Sequence, residues 1–286
     1  MELINDKLLE YNSLGLFPGP EEEEADYYKR VDYCLHLRTI LSKDHGSIIP
    51  PEVMEAEDQP LTEEAWQVTR PLFGIAPLWT PLFFSNHQLA PWHGGCAWIF
   101  RVAEDSPIGA IFQLRRSFKK KEIFLGYYKR SFLLAHEGVH VARMAFEEPK
   151  FEEILAYMTS QSAFQRFIGP LAESSKETAI FALLIFVSMV ISLTAGTGVW
   201  PLWMVGINLL PWLMIIAACI RRIYRQSQLD RCLKNLKQLT SQANHVACRL
   251  TDKEIILFAG YAPEEITRYA AENKEFRWSL LRSYFS

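Results

Sequence analysis

The chain has no pair of cysteines at C-x-x-C spacing. Its five cysteines, Cys34, Cys96, Cys219, Cys232 and Cys248, are scattered and odd in number. This argues against a disulfide framework and a cysteine-held zinc site, and suits a reducing compartment. A basic tract interleaved with aromatics is also missing, and a net charge of −3 gives no general pull toward nucleic acid. Trp92-His93-Gly94-Gly95 has no G-x-S-x-G nucleophile elbow to accompany it, so it reads as a loop before a strand. The start, MELINDKLLEYN, is not a basic segment followed by an apolar core, and no cleavable signal peptide is expected from it.

The most consequential absence is of charge. From Thr178 to Ile220 no residue is charged, a run of 43 residues. One helix needs only about 20 residues to cross a bilayer. Thr194-Ala195-Gly196-Thr197-Gly198 and then Trp200-Pro201 interrupt the run with turn-forming residues. The expectation is a transmembrane hairpin over 178–220, with spans at roughly 178–196 and 200–220. Trp200 and Trp203 suit the interfacial aromatic belt. Arg221, Arg222 and Arg225 follow the second span and Lys176 precedes the first, while the connecting loop is uncharged. The positive-inside rule then places the N- and C-terminal regions in the cytoplasm, making this an integral membrane protein with two spans.

What surrounds the hairpin reads as α+β. Pro20 and the acids Glu21 to Glu24 suit a solvated helix start, with the helix running to about Ser42. Another helix starts near Thr62. Cys96 to Phe100, Gly109 to Leu114 and Ile123 to Leu125 read as strands. Residues 129–146 and 150–168 read as helices divided at Glu148-Pro149. Beyond the hairpin, 221–248 reads as one amphipathic helix, Thr251-Asp252-Lys253-Glu254 as a capping box, and Pro263-Glu264-Glu265 as a further helix start. The basic run Arg115 to Lys121 reads as a solvated turn, or as a contact for anionic lipid.

Residues 136–140 read His-Glu-Gly-Val-His, the H-E-x-x-H pattern. Positions i and i+4 share one helix face, so His136 and His140 can hold one Zn2+ ion. Glu137 projects beside the metal and can act as base toward zinc-bound water. Leu133, Leu134, Ala135, Val139, Val141 and Met144 give this helix the apolar faces of a buried element. A catalytic zinc usually takes three protein ligands, so a third should come from close in the fold, and Phe151-Glu152-Glu153-Ile154-Leu155-Ala156-Tyr157 follows directly.

At these residues the sequence resembles the gluzincins, zinc peptidases with H-E-x-x-H on one helix and a glutamate ligand on the next. Glu153-x-x-Ala156 is similar to the E-x-x-A pattern of their aminopeptidase-like and minigluzincin members. The likeness spans roughly 95–168, with only 12 residues between His140 and Glu153. It implies Glu153 as third ligand, with Glu152 the alternative ligand one position away. It implies an edge strand that holds the peptide, for which Ala110 to Leu114 is the candidate. Tyr157 and Arg143 are candidates for stabilising the oxyanion.

The resulting expectation has three parts: a cytosolic zincin-like catalytic domain over 1–170 with a small sheet and the H-E-x-x-H helix, the hairpin, and a helical C-terminal segment over 221–286. The expected function is a membrane-anchored, zinc-dependent peptidase acting on a peptide or protein substrate. The alternative is a membrane-anchored scaffold, or a latent zinc-dependent sensor without peptidase activity.

Overall fold

The computed structural model describes residues 6–43, 62–101, 106–126, 128–171, 175–194 and 202–285. The order is α1 (Asp6–Ser13), α2 (Glu24–Leu35), α3 (Leu37–Lys43), α4 (Glu63–Phe73), β1 (Leu82–Phe84), β2 (Gly95–Phe100), β3 (Gly109–Leu114), β4 (Ile123–Phe124), β5 (Tyr128–Lys129), α5 (Arg130–Ala142) and α6 (Pro149–Tyr157). There follow α7 (Ala163–Ile168), α8 (Ser175–Thr194), α9 (Leu202–Leu236), α10 (Ala243–Cys248), α11 (Asp252–Phe258), α12 (Pro263–Glu272) and α13 (Phe276–Leu281). The chain is α+β, mainly helical, with small sheets.

The first acid run does not act as a plain helix start. Glu21 takes a left-handed φ of 57°, which no helix continues through, so α2 begins only at Glu24. Glu22 instead turns inward, accepting from the Gly19 N–H at 2.7 Å and pairing with buried Arg30 at 2.7 Å. Arg30 also donates to the Phe17 carbonyl, so this carboxylate satisfies a charge inside the fold.

The main sheet has the order β1-β3-β2. Strand β1 runs parallel to β3, with Leu82 opposite Phe112, and β2 runs antiparallel, with Ala97 opposite Phe112. The strand expected to be the edge, Ala110 to Leu114, is the centre: β3 is paired on both sides and buried throughout. Its six residues carry almost no charge or exposed polar group, as suits a strand covered on both faces. The edge near α5 is β2. Strands β4 and β5 form a separate two-stranded ribbon, and the basic run contributes a short 3-10 turn, Arg116–Lys119, before it.

Helix α5 lies between two hydrophobic clusters. Leu134, Ala135 and Val141 face the cluster that holds Trp66, Phe112 and Phe118 of the sheet side. Val139 and Ala142 face the other, which joins Phe151 and Leu155 of α6 to Leu229, Leu236, Val246, Phe258 and Trp278. The C-terminal helices therefore pack onto the second face of α5. Polar ties reinforce this. Arg249 donates to Asn12 Oδ1 at 2.6 Å and to the Phe73 carbonyl at 2.8 Å. Glu254, capping α11 through Thr251 as the sequence pattern predicts, also accepts from Arg277 and from Trp278 Nε1 at 3.0 Å.

Helix α9 departs from expectation. The second apolar run and the amphipathic stretch after it form one continuous helix, and that helix ends at Leu236 instead of reaching Cys248. It is long and apolar enough to cross a membrane. Only 6% of its most apolar window is buried, which is unlike the core helix of a water-soluble domain. Helix α8 is a shorter apolar helix packed alongside. Ser188 Oγ hydrogen-bonds Asn208 Oδ1 between them, and Glu177 pairs with Arg221 at 2.9 Å where both helices regain charge. The turn expected at 195–201, with Trp200, lies outside the described residues.

Candidate metal centre

The H-E-G-V-H segment sits in the last two turns of α5, and its phase decides which side chains converge. His136 and His140 point the same way, with Nε2 atoms 3.2 Å apart. Gly138, on the opposite side, allows α4 to approach: a Cβ there would lie 2.9 Å from the ring of Trp66, which is itself fully buried. The third group arrives on α6. Glu153 places Oε1 3.4 Å from His140 Nε2 and Oε2 3.6 Å from His136 Nε2.

These three groups fit a divalent ion. Zinc bonds of about 2.0–2.1 Å in tetrahedral array separate their ligand atoms by roughly 3.3–3.4 Å. The nearest contacts span 3.2 to 3.6 Å, and one ligand atom from each residue lies within 4.8 Å of the others. Two imidazoles and one carboxylate would leave a bound ion a fourth position for water or substrate. His136 is buried, while the Glu153 side chain is 33% exposed, so the cluster opens on the Glu153 side.

Glu152, the alternative ligand, occupies a different place. Its Oε1 lies 2.6 Å from His140 Nδ1, the ring nitrogen turned away from His136. A carboxylate there fixes the ring and directs the Nε2 lone pair toward a metal. Burial alone would lower the His140 pKa. The Glu152 hydrogen bond, with the charges of Glu153, Glu152 and Glu137, outweighs it and raises the pKa to about 10. Burial, then the charge of His140, holds His136 well below the usual histidine range, opposed by the accepting Ala156 carbonyl. In the metal-free protein a proton thus belongs to His140 at neutral pH.

Glu137 is held from the sheet. The Ala97 N–H, on edge strand β2, donates to Glu137 Oε2 at 2.8 Å. Burial raises the Glu137 pKa; the His140 charge and the Ala97 hydrogen bond lower it, and the charges of Glu153 and Glu152 add to the rise. The base candidate therefore lies between the histidine pair and the strand edge. Cys96, next along β2, is pushed up to about 12 by burial and the Glu137 charge, which keeps it a neutral thiol.

The two oxyanion candidates separate. Tyr157 packs its ring edge-on against His136, with centroids 4.5 Å apart, and Phe132 completes the aromatic wall at 5.9 Å from His136. Gly169 leaves room for this ring: a Cβ there would lie 2.1 Å from it. Arg143 is fully buried. It donates to the Cys248 carbonyl at 2.8 Å and the Leu250 carbonyl at 3.0 Å, and stacks on Phe146. Its guanidinium ties α5 to the C-terminal helices, a role that spacing within 136–143 does not reveal.

The positioning of α6 also depends on that distant segment. Asp252 accepts from the N–H groups of Lys150 (2.9 Å) and Phe151 (3.2 Å), at the start of α6. In return Glu148 accepts from the Asp252 N–H at 2.6 Å. Helix α6 has no capping side chain of its own, so the helix that carries Glu152 and Glu153 is capped from a hundred residues away. No protein-family model matches this chain, and no curated protein or solved structure matches it either.

Proposed function

We propose that this protein is a membrane-anchored zinc peptidase, with His136, His140 and Glu153 as ligands and Glu137 as general base. The observation that carries the proposal is the convergence of the two Nε2 atoms and the Glu153 carboxylate at zinc-ligand spacing, with Glu137 beside them. The resemblance to gluzincins supports the same reading.

A bound zinc ion would supply a Lewis acid for the scissile carbonyl and lower the pKa of the attacking water. The remaining work falls to the chain. Glu137, raised by burial, takes the proton of the water and returns it to the leaving amine. The Ala97 N–H keeps its carboxylate oriented. Glu152 holds His140 in the tautomer that leaves Nε2 free. An extended peptide adds along the open side of β2, next to Glu137, by strand addition to an edge. The Tyr157 ring, against His136, lines the site and is the remaining candidate to face the oxyanion.

The same reading takes α8 and α9 as the two spans, with both terminal regions on the cytoplasmic side. The contacts Ser188–Asn208 and Glu177–Arg221 support pairing of the helices, and the arginines after Ile220 support the orientation.

Metal analysis of the purified full chain in mild detergent tests the site. About one zinc per chain is expected, lost in both His140→Ala and Glu153→Ala. A folded wild-type chain that takes up no metal from supplied zinc would remove the peptidase reading and leave the scaffold.

A further inference from the structure

Between α6, α7 and the part of α9 beyond the uncharged run lies a groove of about 810 Å³. It is neither the metal cluster nor the open side of β2. Four cations line it, Arg166, Arg222, Arg231 and Lys234, against one carboxylate, Asp230. Asp230 accepts from Gln226 Nε2 at 2.6 Å. Phe167 and Ile223 supply its apolar wall, and both remain substantially exposed, at 42% and 58%.

The groove begins where the apolar part of α9 ends. Arg222 follows the uncharged run by two positions. Lys234 lies twelve positions further, roughly 18 Å along a helix. If α9 crosses a bilayer, the Arg222 end stands in the headgroup layer and the Lys234 end stands above it. Helix α7 agrees with this level: Phe164 is 64% exposed and Ile168 41%, beside Phe167, an apolar group left exposed among the described residues. Bulky apolar side chains next to arginines at the end of a span suit the interface between headgroups and acyl chains.

Arg222 is the most informative of these residues. It is 7% exposed and it lines the groove, yet among the described residues Nη2 donates to the Arg166 carbonyl at 2.9 Å and buried Nε has no hydrogen-bond partner. A buried guanidinium with an unsatisfied donor, and with no carboxylate in ion-pair contact among the described residues, is costly, and an anion drawn into the groove would offset that cost. Arg166 spends Nη1 on the Ser160 carbonyl and keeps its charge beside the same space.

We propose that this groove binds the phosphate of an anionic phospholipid of the bilayer in which α9 is inserted. Arg222 and Arg166 take the phosphate, and Phe164, Phe167 and Ile168 enter the upper acyl region. Arg231 and Lys234 add attraction from above, each worth about fivefold in binding near an anionic surface. The proposal rests on the membrane reading of α9 and is independent of peptidase activity. It has a consequence for the metal site. Glu153 shares a small cavity with Arg222 and Arg225, and Arg225 donates to the Lys150 carbonyl of α6 at 3.2 Å. A lipid at Arg222 would therefore sit beside the ligand helix α6.

Native mass spectrometry of the detergent-solubilised full chain tests this, with phosphatidylglycerol, phosphatidylcholine of the same acyl chains, and inorganic phosphate as separate probes. The expected result is retention of phosphatidylglycerol well above phosphatidylcholine. Phe167→Glu, at an exposed position, puts a carboxylate in the groove and should weaken retention about tenfold or more, as should Arg166→Gln combined with Arg222→Gln. Circular dichroism reports whether each variant folds, and Arg116→Gln with Lys120→Gln, on the other basic run, should retain lipid as wild type does. Equal retention of the two lipids, retention unaffected by a folded Phe167→Glu, or phosphate binding as tightly as phosphatidylglycerol would each overturn the proposal. So would a second copy of the chain filling the groove, seen as a lipid-free dimer that Phe167→Glu dissociates. Carbonate extraction of membranes separates the layers of the argument. A resistant chain that binds no phosphatidylglycerol overturns the lipid site alone, and an extracted chain overturns the membrane reading beneath it as well.

Discussion

Replacing Glu152 distinguishes a carboxylate that orients a ligand from one that is a ligand. Glu152 Oε1 lies 2.6 Å from His140 Nδ1, and its side chain is 17% exposed, so solvent screens the contact weakly. Removing the carboxylate behind a metal-binding histidine costs about 10–100-fold in metal affinity, or roughly 1.4–2.8 kcal/mol. Glu152→Gln keeps an oxygen acceptor for Nδ1–H and loses only the charge, so its loss should fall near about tenfold. Glu152→Ala frees the ring as well and should approach about a hundredfold. Both should still bind one zinc per chain when metal is in excess, whereas Glu153→Ala should not. The assay is competition of the metal-free protein with a chelator of known zinc affinity. Unchanged affinity in Glu152→Ala would refute the orienting role. Loss of stoichiometric zinc in Glu152→Ala, with retention in Glu153→Ala, would exchange the two roles.

Zinc affinity should also depend on pH in a defined sense. The His140 pKa in the metal-free protein is raised to about 10, so at neutral pH a zinc ion must displace one proton. Affinity should therefore rise about tenfold per unit as pH increases from 6 to 9, with about one proton released to buffer in calorimetry; a flat profile would contradict the assignment. A separate test concerns the packing of the C-terminal helices. Arg277 and Glu254 are almost fully buried and 2.8 Å apart, with Glu275 a second partner for Arg277 at 3.0 Å. Glu254→Gln should destabilise the fold by about 3 kcal/mol, the lower end for breaking a buried pair because Glu275 remains. Denaturant unfolding in detergent reads this, and a change below about 0.5 kcal/mol would show that the pair is not buried as described.

What the sequence reveals of this molecule follows the range of the interaction. The H-E-G-V-H pair is legible because i and i+4 share a helix face whatever surrounds them. The Thr251–Glu254 capping box is legible for the same reason, since both partners lie within one turn. Spacing alone does not single out Glu153, which the resemblance to gluzincins implies, and the different place of Glu152 depends on which ring nitrogen it meets. Edge and centre in the sheet are set by partners up to thirty residues apart, so the apolar run Ala110 to Leu114 could be recognised as a strand but not placed. The committed state of Arg143 and the capping of α6 by Asp252 involve contacts across about a hundred residues, and no local pattern announces them. The fusion of the second apolar run with the helix beyond it was obscured by a change of composition at Arg221. That change marks a change of surroundings; the helix itself runs on to Leu236.

The most direct test of the central claim is hydrolysis of an unstructured peptide library by the zinc-loaded full chain in lipid nanodiscs, alongside Glu137→Gln at matched zinc content. The account predicts that the wild-type chain cuts peptide bonds, and that Glu137→Gln keeps its zinc while losing activity by at least about 10²-fold, the contribution expected of a general base. Equal cleavage by the two proteins, or no cleavage by a fully zinc-loaded wild type, would contradict it.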